Sequence, residues 1–147
     1  MPQSLANILV HLVFSTRERR PWVTPAVQSQ MWPYLAQTLN NMGCRALKVG
    51  GMDDHVHALF DLSRQTSLSD VVRDLKMQSS KWMKQHEPAF CWQRGYGAFS
   101  VSRSRRDNLL ASINDQPNRH AKRSFMDEFR ELLERHGIDY DERYVWD

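Results

Sequence analysis

Cysteine is scarce: Cys44 and Cys91 are the only two in 147 residues, and they do not form a Cys-x-x-Cys. That excludes a zinc-finger pattern and a disulfide framework, leaving two ordinary semi-buried thiols. Long apolar runs are missing as well. No stretch approaches the ~20 apolar residues a membrane-spanning helix needs, and no charged segment leads into a hydrophobic one at the start of the chain. The expected setting is cytoplasmic, with no membrane partner. Internal repeats, low-complexity tracts and interdomain linkers are also absent. Residues 1–147 are therefore expected to form one domain, long enough to bury a sizeable core. Hydrophobic residues at 41% and charged residues at 25% suit a soluble globular protein.

The net charge of +3 is unevenly spread. Residues 1–123 hold 17 Lys+Arg against 9 Asp+Glu, whereas residues 124–147 hold 3 against 8. A basic body with an acidic end suits a polyanionic partner, although basic surfaces are often merely solvated.

Residues 7–14 are nearly continuous in apolar character, the pattern of a central strand covered on both faces. Thr24-Pro25 reads as an N-cap followed by proline at the first helical position. Val27, Met31, Leu35, Leu39 and Met42 then recur at helical spacing, so a helix is expected over 25–42, stopped by Gly43. Residues 44–49 and 55–62 read as the arms of a hairpin around Gly50-Gly51. Ser67-x-x-Asp70 caps a second helix over 68–86, with Leu68, Val71, Val72, Leu75, Ser79 and Trp82 on one stripe. A fourth strand follows Tyr96. Ser104-x-x-Asp107 opens a third helix closed by Pro117, within which Ser112 and Gln116 share a face. Ser124-x-x-Asp127 caps a fourth, whose stripe of Phe125, Phe129, Leu132, Leu133 and His136 ends at Gly137. The tail from 138 to 147 is expected to dock by the rings of Tyr140, Tyr144 and Trp146.

The order β, α, β, β, α, β is that of a ferredoxin-like α+β fold: an antiparallel sheet in a core of residues 1–103, with additional C-terminal helices over 104–147. The first two helices would cover one face of the sheet and leave the other free for a site or a partner.

Asp53-Asp54-His55-Val56-His57 sets two imidazoles one residue apart in the third strand. Side chains alternate faces along a strand, so His55 and His57 point one way and Val56 the other. Such a pair beside carboxylates can hold a divalent metal; it can also be two half-buried histidines lining a sheet, the commoner case for an arbitrary His-x-His. Basic residues gather at Arg17, Arg19 and Arg20 after the first strand, at Arg73, Lys76, Lys81 and Lys84 on the second helix, and at Arg94 among aromatics ahead of the fourth strand. They read either as solvated surface or as phosphate contacts, with the aromatics either plugging a core edge or stacking on unpaired bases.

Taken in order and spacing, several segments resemble the single-tyrosine HUH transposases of the simplest insertion sequences and their relatives associated with palindromic repeats. They are Val10-His11-Leu12-Val13-Phe14 with Arg19-Arg20-Pro21, Asp54-His55-Val56-His57, Ser69 to Lys76, Trp92 to Ser102, Asn114-Asp115-Gln116, and His136 to Tyr144. The resemblance implies that His55 and His57 ligate Mg2+ or Mn2+, with Gln116 as third ligand from the last turn of the helix after the fourth strand. It implies metal-assisted nicking and rejoining of single-stranded DNA through a phosphotyrosine link, with no nucleotide cofactor. It also implies a homodimer that recognises hairpins formed by single-stranded transposon ends.

Where the family carries its nucleophilic tyrosine, one turn before Gln116, this chain has Ser112. A serine hydroxyl sits ångströms closer to its own backbone, and its pKa lies well above the ~10 of tyrosine, so its alkoxide is the poorer leaving group when the ester must be resolved. Loss of activity in a domesticated copy, an introduced substitution, or rescue by Tyr96, Tyr140 or Tyr144 would each account for it, and none of those tyrosines stands one turn from Gln116. A catalytically inactive DNA- or RNA-binding regulator on the same sheet is the rival reading. A metal-dependent hydrolase of small phosphoesters is a third, but the sequence lacks the carboxylate cluster of a two-metal site.

Overall fold

The computed structural model describes residues 2–120 and 122–147. β1 (Leu9–Ser15) is followed by a 3-10 turn, α1 (Pro25–Asn41), β2 (Arg45–Gly51), β3 (His55–Asp61), α2 (Leu68–Met83), β4 (Gly97–Ser100), α3 (Arg106–Asn114), α4 (Gln116–His120) and α5 (Phe125–Arg135). The strands form one antiparallel sheet in the order β2-β3-β1-β4, as the expected ferredoxin-like α+β pattern requires. No helix among the described residues is long and apolar enough to cross a membrane.

β1 explains the centre of the sheet. All seven of its residues are buried, because its two hydrogen-bonded neighbours leave both faces to be covered by helices. Val10, Leu12 and Phe14 point into the larger core with Val56, Ala58 and Phe60 of β3, under Met31, Leu35 and Leu39 of α1 and Val71, Val72 and Leu75 of α2. Each large aliphatic or aromatic side chain so buried contributes roughly 1.5–3 kcal/mol. The α2 start behaves as its sequence suggests, Asp70 N donating to Ser67 Oγ at 3.1 Å. Ser124 receives Asp127 N at 3.2 Å in the same way.

The other face of the sheet is not free, contrary to the sequence-based expectation. Leu9 and Leu59 are buried beneath Ile113 of α3, and Val13 and Phe99 beneath Phe125, Phe129 and Leu133 of α5. Leu9, Val13 and Leu59 on this face, with Phe99 of β4, are too apolar to stay wet, and the amphipathic C-terminal helices supply the cover. Two glycines make room for it. A Cβ on Gly50 would lie 2.9 Å from Ile113 Cγ2 and 3.1 Å from the Ile113 carbonyl oxygen, and one on Gly97 would lie 2.5 Å from the Phe129 ring.

The third helix also departs from expectation. Ser104 does not cap it: Ser104 and Ser102 pair their hydroxyls at 3.1 Å inside a 3-10 turn, and α3 begins at Arg106. It ends at Asn114, with Asp115 N reaching back to the Ala111 and Ser112 carbonyls. Gln116 thus opens a separate short helix, and Pro117 lies inside that helix instead of closing the earlier one.

Candidate metal centre

Between the two apolar patches on the second sheet face lies a polar centre built by three parts of the chain. β3 supplies His55 and His57, which point the same way and are 0% and 2% exposed. α4 supplies Gln116, 1% exposed, and half-buried His120. α5 supplies Glu128, one helical turn after Ser124. One potential ligand atom from each of His55, His57, His120 and Glu128 falls within 4.8 Å of all the others.

Hydrogen bonds fix which ring nitrogens face inward. His55 Nδ1 donates to Asp54 Oδ1 at 2.7 Å, so Nε2 carries the lone pair, and it lies 2.9 Å from Gln116 Oε1. His120 Nδ1 donates to the Arg123 carbonyl at 2.9 Å, and its Nε2 lies 2.7 Å from the same Gln116 oxygen. His57 Nδ1 is 2.8 Å from Nε2 of His11, whose ring stacks on it with centroids 5.1 Å apart. His57 Nε2 approaches Glu128 Oε1 to 2.8 Å, but off the line a hydrogen bond needs, so both buried atoms lack a hydrogen-bond partner.

Burial disfavours the charged forms of His57, His11 and His120. It pushes His57 down to about 4, partly against the contact with Glu128. It also lowers His11, with the His57 charge acting the same way, and His120, helped by His55. For Glu128 burial acts upward, but the contact with His57 and the charges of the three imidazoles outweigh it and hold the carboxyl near 2. That pull draws on a charged His57, which burial disfavours; the state both directions share at neutral pH is a neutral His57 facing an ionised Glu128. Neutral imidazoles and a carboxylate are the forms that bind metal.

Of the sequence-predicted site residues, Gln116 therefore meets His55 within its own chain. Ser112 is half-buried on α3 and lines a cleft of about 580 Å³ beside the centre, together with His11, His136 and the guanidinium-bearing Arg105, Arg119 and Arg135. No tyrosine lines it. Tyr96 lies in a groove with Lys76, Tyr140 Oη donates to Glu134, and Tyr144 is 63% exposed.

The predicted basic contacts lie elsewhere. Arg73, Lys76 and Lys81 ride on α2, and Lys84 is its C-cap, across the sheet from the histidines. Arg73 pairs with Asp70 and Asp74. Lys76 donates to the carbonyls of Gln93 at 2.8 Å and Gly95 at 2.6 Å. Arg94 is exposed and lines two grooves, one shared with Arg73 and Lys76 and one with Arg17. Arg20 pairs with Glu18 at 3.1 Å, and Arg19 lies over the Trp146 ring at 5.5 Å.

Sequence reasoning missed His11, His120, Glu128 and the three arginines of the cleft. His120 carried a faint signal, four residues after Gln116, and His11 stood out as the one histidine in an apolar strand. Glu128 had none, since an acid in the first turn of a helix is commonplace.

Fold and site together define an α+β protein whose sheet carries a buried imidazole–carboxylate group suited to a divalent ion. The profile described as "Transposase IS200 like" matches residues 4–116, and the chain belongs to that family of DNA-transposition proteins. No curated protein matches the chain. Among solved structures, a Deinococcus radiodurans R1 protein thought to be a transposase is similar with a TM-score of 0.64 and 22% identity, over 79% of this chain and 95% of that one. A REP-associated tyrosine transposase bound to a REP hairpin is similar with a TM-score of 0.61 and 14% identity, over 82% of this chain and 72% of that one. At these identities the two establish the shared fold.

Proposed function

We propose that this protein binds single-stranded DNA folded into a hairpin, as a homodimer, with Mg2+ or Mn2+ at a centre that includes His55, His57 and Gln116. The observation that carries the reading is the nearness of that centre to the basic cleft: His11, which lines the cleft with Arg105, Arg119 and Arg135, lies 2.8 Å from His57 behind it. A divalent ion there supplies Lewis-acid polarisation of a phosphodiester oxygen. The arginines would hold flanking phosphates, and burial of the histidines would keep bulk water from the reacting oxygen. The structural relative bound to a REP hairpin supports the choice of DNA form. The exposed basic residues Arg17, Arg20, Arg73, Lys81, Lys84 and Arg94, with the half-buried Arg19 and Lys76, are proposed as contacts for DNA beyond the cleft.

Ser112 favours a second element of the reading, a binding protein that does not form the covalent link to DNA. It lines the cleft where the family's tyrosine would stand, with no tyrosine beside it. Fluorescence anisotropy with a hairpin and a scrambled single strand tests binding: a clear preference for the hairpin is expected, and equal micromolar or weaker affinity for both removes the claim. Incubating the wild type and Ser112→Tyr with a flanked hairpin and Mn2+ tests the chemistry. An adduct confined to the tyrosine variant is expected, and one formed by the wild type overturns the reading of Ser112.

A further inference from the structure

We propose that His120 and Glu128 join His55, His57 and Gln116 as ligands, closing an imidazole-rich site that selects a first-row transition ion over magnesium. This rests on the metal-holding reading above and extends it in ligand set and ion class.

The tautomers carry the argument. Asp54 and the Arg123 carbonyl take the Nδ1 protons of His55 and His120, so both Nε2 lone pairs turn towards Gln116 Oε1, at 2.9 and 2.7 Å. The amide is placed with its NH2 on the Ser112 side, 3.5 Å from that carbonyl, and its oxygen towards both rings. Three acceptors this close repel one another unless a cation lies among them. His57 Nε2 and Glu128 Oε1 give a second, independent sign, since both are buried 2.8 Å apart without a hydrogen bond. Buried polar atoms left unpaired are destabilising, and an ion bound by both would remove that penalty.

Spacing and chemistry then choose the ion. Donors about 2.1 Å from a six-coordinate ion stand about 3 Å apart when adjacent, close to the separations just given. Magnesium prefers oxygen donors and keeps several waters, whereas this centre offers three imidazoles, two of them buried and the third half-buried. Asp54, His11 and the Arg123 carbonyl sit behind the three rings, the outer contacts that orient imidazole ligands.

The test is a Co2+ titration of the full-length, EDTA-stripped protein without DNA, read by visible absorption and calorimetry. Stoichiometric binding is expected, undisplaced by a thousandfold excess of Mg2+. His120→Asn and Glu128→Gln should each weaken Co2+ binding at least tenfold and shift the absorption bands, while Gln37→Ala, on the exposed side of α1, should change neither. Should those variants misfold by circular dichroism, X-ray absorption of the Zn2+-loaded wild type decides: three coordinated imidazoles support the assignment and two overturn it. Displacement of Co2+ by a tenfold excess of Mg2+, or folded variants that keep affinity and spectrum, also overturns it. A protein that binds Co2+ in this way but no hairpin keeps this inference and loses the DNA reading. A hairpin binder whose ion needs only His55, His57 and Gln116 does the reverse.

Discussion

Gly50→Ala is the smallest change that tests how α3 seats the centre. Gly50 pairs with His57 across the β2–β3 ladder, and its missing side chain lets α3 lie directly on the sheet. The added methyl would meet Ile113 Cγ2 at 2.9 Å, a contact that a rotamer change can relieve. It would also meet the Ile113 carbonyl oxygen at 3.1 Å, which moves only with the helix. Overpacking of this kind costs about 1–3 kcal/mol, against which the alanine's restriction of the unfolded chain returns about 0.4–1 kcal/mol. A net loss of about 1–2 kcal/mol is expected in urea denaturation. Because only Asp115 separates Gln116 from the end of α3, the lifted helix should also carry Gln116 Oε1 away from His55 and weaken metal binding severalfold. Unchanged stability and unchanged metal affinity together would refute the close packing of α3 as the device that places Gln116.

Three further outcomes are expected. In EDTA, the metal-free protein should lose stability as pH falls. His57 sits near 4 in the folded state against about 6.5 when unfolded, so the unfolded chain binds the extra proton; the stability present above about 6.5 is lost on the way down to 4, by about 3 kcal/mol at 1.36 kcal/mol per pH unit. His11 is lowered in the same direction and adds to the loss, and a flat denaturation midpoint between pH 7 and 4.5 would contradict this. Ile113→Ala, at 2% exposure on the sheet-facing side of α3, should cost about 2–5 kcal/mol in the same urea assay. Arg119→Ala should weaken hairpin binding and lower the salt slope of log K by about 0.7–0.9, one phosphate's worth; an unchanged slope would take Arg119 off the DNA path.

Much of this architecture is legible without coordinates. β1 shows its central place in its unbroken apolar run, α2 and α5 announce their starts through Ser67 and Ser124, and the period of a strand alone aligns His55 with His57. Legibility fails where tertiary docking decides. Ser104-x-x-Asp107 has the same cap spelling as the other two, yet its serine pairs with Ser102 and the backbone tightens into a 3-10 turn. The second sheet face looked free because nothing local says that α3 and α5 return to it. The room they need comes from Gly50 and Gly97, single residues that read as turn or strand punctuation. His120 and Glu128 lie on different helices, so no spacing rule links them to His55; only the fold brings their donor atoms together.

The central claim is that this polar centre is a metal site and not a cluster of ordinary core histidines. Crystals soaked in Mn2+ and measured for anomalous scattering test it most directly. The account calls for one strong peak enclosed by His55, His57, Gln116, His120 and Glu128, about 2.0–2.3 Å from their inward atoms. No peak there, with Mn2+ found only at exposed carboxylates, would contradict it.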